Sequence, residues 1–132
     1  MKLIDLAILD WVLINNTPHK IQAIDSIDAE ILADDDLYYV GEDRCHSEDK
    51  IEGIPITPEI LENNGFIKVN SQRYDYGYPD TDCYVKVNPK KNMIHVNGRN
   101  ANSNLYSHSF VHELQHALRL CGLNEIADNF KV

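Results

Sequence analysis

The chain has few basic residues, few cysteines and no long apolar run, and each shortage excludes something. Lys and Arg number 12 against 21 Asp and Glu, a formal net charge of −9 over 132 residues. That balance does not suit general binding to nucleic acid or to an anionic membrane, both of which need basic surface. No stretch approaches the ~20 uninterrupted apolar residues of a membrane-spanning helix. Asp5 and Asp10 break the opening run, and no small-residue cleavage site follows it. Cys45, Cys83 and Cys121 are odd in number, far apart and form no C-x-x-C pair. They fit reduced thiols in a cytoplasm better than a disulfide framework. Glycine is also scarce, and no G-x-x-x-x-G-K phosphate loop is present. The expectation is a cytoplasmic protein without a membrane partner.

What is there reads as one soluble domain. Hydrophobic residues make up 43% and charged residues 25%, ordinary values for a chain that buries a core. The charge is unevenly placed. Residues 1–65 carry four basic and fifteen acidic groups, whereas residues 66–108 carry six basic and three acidic ones. An acidic half of this kind is a solvated face, or a surface that engages a basic partner by imitating nucleic acid.

Hydrophobic patterning predicts an α+β fold in a single domain over residues 1–132. It divides into an acidic β-unit over 1–52, barrel-like in its short strands, and a second part over 53–132. Strands at 11–14 and 19–24 flank a polar turn, and two more are expected at 30–32 and 37–40. Residues 41–50 read as a polar loop. Thr57 and Pro58 are a helix start, a hydroxyl cap followed by a residue that needs no N–H, and Gly65 is the matching stop. An antiparallel meander then occupies 66–97, residues 97–104 read as a loop, and an amphipathic helix packs on the sheet.

That last helix contains His112-Glu113-Leu114-Gln115-His116, a match to the H-E-x-x-H zinc-hydrolase pattern. Residues four apart stack on a helix, so His112 and His116 could share one ion while Glu113 takes a proton from its water. The remainder of such a site is missing from the familiar place. Arg119 and Gly122 stand where the extended pattern has glycine and a third histidine. The tail offers Glu125 and Asp128, and the upstream chain His95, Asp82 and Glu59. A helical wheel at about 100° per residue puts Phe110, Val111, Leu114, Ala117, Leu118 and Cys121 on one apolar stripe. His108, His112 and His116 fall opposite, on the side expected to be wet. The expectation is therefore no catalytic residue, no metal and no cofactor, with zinc on His112 and His116 and Glu113 as base the alternative.

A second candidate site lies in the meander. Tyr74, Tyr76 and Tyr78 alternate along a strand and share a face, with Arg73, Lys86 and Arg99 supplying positive charge for a ligand such as a nucleotide. The competing expectation is that the rings pack beneath the last helix.

Two stretches, IPITPEILENNGF at 54–66 and VHELQHALRLCG at 111–122, resemble the paired signatures of short uncharacterised proteins of gut-bacterial phages and mobile elements. Trp11-Val12 matches a tryptophan-valine pair that ends the opening strand in that family. The resemblance implies a small accessory protein of a mobile genome and carries no activity or site residues with it. The expected function is non-enzymatic: binding a host protein or a small ligand, a nucleotide among them, to counter host defence. A zinc hydrolase is the alternative, and an acidic nucleic-acid mimic the second.

Overall fold

Asn15 and Asn16 both adopt positive φ, 52° and 61°, a conformation asparagine tolerates and a two-residue hairpin turn requires. They join β1 (Trp11–Ile14) to β2 (Thr17–Asp25), with Ile14 opposite Thr17 and Leu13 opposite Pro18. The computed structural model describes residues 1–33, 45–77, 83–98, 101–106 and 108–132. The strand expected at 37–40, and Tyr78, Asp82 and Arg99 among the candidate site residues, lie outside them. The described chain is α+β and separates into two compact units, Met1–Ile54 and Pro55–Val132.

The first unit is an open antiparallel sheet. After β2 come β3 (Glu30–Ala33), β4 (His46–Ser47) and β5 (Ile51–Glu52), in the order β4-β3-β2-β1-β5. The described strands do not close into a barrel. Val12, Ile14, Ile21, Ile31, Ala33 and Ile51 point to one side and bury against Leu3 and Leu6. Part of the stretch expected as loop is instead β4. It is a two-residue edge strand of polar residues, and half-buried positions at an edge leave no apolar alternation to read.

The second unit begins as the sequence predicts. Thr57 Oγ1 accepts from Ile60 N at 3.2 Å to open α1 (Pro58–Asn63). Five strands follow as a meander: β6 (Ile67–Lys68), β7 (Tyr74–Tyr76), β8 (Tyr84–Asn88), β9 (Met93–Gly98) and β10 (Ala101–Tyr106). Within the Asn- and Ser-rich stretch expected as a loop, Asn97 and Gly98 thus end β9, and residues 101–104 belong to the edge strand β10. A backbone ladder to one neighbour is enough to hold it, whatever its side chains.

Two helices complete the unit, α2 (Val111–Leu120) and the unexpected α3 (Asn124–Asp128). Val111, Leu114, Ala117 and Leu118 pack with Val85, Val87, Ile94 and Val96 as one buried layer of helix on sheet. The approach is close enough that a Cβ built on Gly98 would lie 3.0 Å from Cys121 Cα.

The wet-side expectation for the histidines is corrected here. His112 is only 5% exposed, and Gln115 is fully buried with its Nε2 donating to Ala127 O at 2.9 Å. With α3 against Gln115 and the Phe110 ring against His112, the buried arc of α2 spans about 220° on the wheel rather than a narrow stripe. His116 is half-buried beyond its edge.

Candidate functional site

Period-two alternation divides the meander into two chemically different faces. Val85 and Val87 on β8, with Ile94 and Val96 on β9, point inward. The residues between them therefore point outward. Register then aligns Asp75, Lys86, His95 and Asn104 as one row across β7, β8, β9 and β10. The geometry of this row is specific. Arg73 Nε lies 3.1 Å from Asp75 Oδ1. Lys86 Nζ rests 4.9 Å from the centroid of the Tyr84 ring, and that ring is 6.1 Å from the imidazole of His95. His95 Nδ1 is hydrogen-bonded to Asn104 Oδ1 at 2.6 Å. An amide oxygen can only accept, so Nδ1 carries the proton and Nε2 is the other polar atom of the ring. A cleft of about 290 Å³ opens beside the row, lined by Arg73, Lys86, Asn88, Met93, His95 and Asn104.

Two of the sequence-predicted ligand residues, Arg73 and Lys86, meet in this cleft. Tyr74 and Tyr76 do not join them. They stand opposite Val87 and Val85 on the inward face, where Tyr74 is 5% exposed and Tyr76 packs on Phe66 at a centroid distance of 5.3 Å. His95, Asn88 and Asn104 escaped the sequence reading, although one signal was available. The tight Pro89–Lys91 turn fixes β8 against β9, and from it Lys86 must face His95.

The HELQH segment has a different geometry. Glu113 Oε1 accepts from both Ser109 N and Phe110 N at 3.1 Å, and its Oε2 lies 3.7 Å from His108 Nε2. This is the carboxylate half of a capping box, satisfying donors at the start of α2. His112 stacks on Phe110 at 5.8 Å, and its ring meets that of His116 edge-on at 6.0 Å. Among the described residues, no three His, Cys, Asp or Glu side chains gather where one ion could be held.

No family model matches this chain, and neither a curated protein nor a solved structure is significantly similar to it. The outward row is thus judged on its own chemistry.

Cys121 is buried with Sγ 3.7 Å from Tyr84 O, and burial pushes its thiol up, away from the reactive thiolate. Asp34, Asp35 and Asp36, the centre of the acidic half, lie outside the described residues. Among the described residues no helix is long and apolar enough to cross a membrane.

Proposed function

We propose that this protein is a non-enzymatic accessory protein of a phage or mobile element, acting in the cytoplasm by binding a small ligand or host component to counter host defence. The ligand surface is the outward face of the second sheet, with Arg73 and Lys86 as its charged contacts. One observation carries this reading: the row of Lys86, His95 and Asn104 beside a cleft of about 290 Å³. Convergent polar groups around a concave surface are the general mark of a ligand site, and this volume is near the lower end for one.

Native mass spectrometry against nucleotides, sugar phosphates, amino acids and dicarboxylates tests it. One class is expected to bind, and the double variant Arg73→Glu, Lys86→Glu should lose that binding while its far-UV circular dichroism stays unchanged. Absence of any bound class, or binding that survives the double variant, refutes the assignment.

The zinc-hydrolase reading keeps one supporting observation, the edge-on pair of His112 and His116 imidazoles at 6.0 Å. The described residues offer that pair two ring nitrogens rather than a full ligand set, and the adjacent carboxylate is engaged by backbone N–H groups. On the binding reading, Glu113→Ala costs about 1 kcal/mol as a lost helix cap, and protein purified without chelator carries no stoichiometric zinc. Stoichiometric zinc that disappears in His112→Ala would reverse the choice.

A further inference from the structure

We propose, building on the ligand-binding role of the outward face, that its cleft recognises a phosphate monoester, with the phosphate held between Arg73 and Lys86. Charge is the first ground. The cleft is lined by Arg73 and Lys86, and with Asp75 paired to Arg73 the row keeps one positive charge, while the −9 chain as a whole is acidic. A phosphate monoester carries about −1.5 to −2 at neutral pH. Its larger charge is drawn to Lys86 and to the outer nitrogens of Arg73 more strongly than the single charge of a carboxylate is.

The second ground is that each donor is propped by a different neighbour. Asp75 faces Arg73 as an ion-pair partner, Oδ1 3.1 Å from Nε, and the two terminal nitrogens of the planar fork carry four N–H groups. The Tyr84 ring supports the Lys86 ammonium, which has three donors of its own. Asn104 fixes the His95 ring through Nδ1. A site whose contacts are oriented before binding loses less side-chain freedom on binding. Asp75, Tyr84 and Asn104 are therefore positioning residues.

The third ground is size. The cleft of about 290 Å³ is on the scale of a phosphate carried on a sugar or nucleoside. Met93 supplies an apolar wall, and the Asn88 and Asn104 amides offer both donors and acceptors to a hydroxylated body.

The experiment is a titration of the full chain, isotopically labelled, with adenosine monophosphate, adenosine, a hexose phosphate and inorganic phosphate. Both monoesters are expected to shift the backbone amides of β8 and β9. Inorganic phosphate should compete with them, and adenosine should leave those amides unmoved at millimolar concentration. Lys86→Met and Arg73→Met should each weaken the monoesters about tenfold or more, the scale of a lost charge-assisted contact. Asp75→Asn should weaken them less, and by the same factor for both monoesters. Adenosine binding as tightly as its monophosphate overturns the phosphate assignment. So does failure of both monoesters and of inorganic phosphate to move the face. If a dicarboxylate or an amino acid, titrated in the same way, still moves it, the ligand-binding role stands and only the phosphate class falls. If none of the compounds does, both fall.

Discussion

Phe130→Ala is expected to destabilise the second unit by about 3–5 kcal/mol, the range for truncating a fully buried aromatic. Phe130 follows a short helix and sits in a polar stretch, yet it is 1% exposed and among the largest fully buried side chains. Asn64 explains how its neighbourhood is held. From the end of α1, its Nδ2 donates to Lys131 O at 2.7 Å while its Oδ1 accepts from Lys131 N at 2.8 Å. This two-way clamp fixes the backbone beside the ring. The ring therefore cannot be replaced by local collapse, and the cavity stays. Since a domain's whole stability is about 5–15 kcal/mol, the variant should lose much of its cooperative denaturation, read by circular dichroism in urea. A loss below about 1 kcal/mol would mean that the site repacks.

Phe130 also shows which parts of this fold were legible in the sequence. Local rules worked where the cause was local. Thr57 and Pro58 start a helix because capping needs only those residues, and β1 and β2 form a hairpin because Asn15 and Asn16 accept positive φ. The apolar stripe of α2 was readable from its period apart from Phe110, which is exposed at the N-cap. Elements stabilised from elsewhere were not. Strands β4 and β10 are edge strands whose polar side chains reveal no buried face. The burial of Gln115 depends on α3, a five-residue helix too short to show a period, and His112 lies under the Phe110 ring. The same limit applied to the site. Arg73 and Lys86 stand out as charges in a basic stretch, whereas His95 and Asn104 join them only through strand register. The tyrosines gave an alternation without saying which face was covered, and the core took it.

Gly77→Ala is expected to damage the fold and the cleft together. Gly77 follows β7 at φ +89°, and a Cβ there would lie 2.7 Å from Cys83 O and 3.2 Å from Tyr84 Cα. The backbone conformation alone costs a non-glycine residue about 1–3 kcal/mol. The contact adds to this, because the obstructing atom is a backbone carbonyl and cannot rotate away. Gly122→Ala is the matched control: its φ is +77°, but nothing lies within 4 Å of the added Cβ. Both variants should lose the conformational term, so the excess loss in Gly77→Ala measures the clash. Relief requires the start of β8 to move, and Tyr84, the support of Lys86, is its first residue. Gly77→Ala should therefore weaken ligand binding at the outward face under conditions where it remains folded, while Gly122→Ala leaves binding unchanged. Equal losses of stability in the two variants would show that β8 yields freely, and the row of donors would then not be held rigid by the strands beneath it.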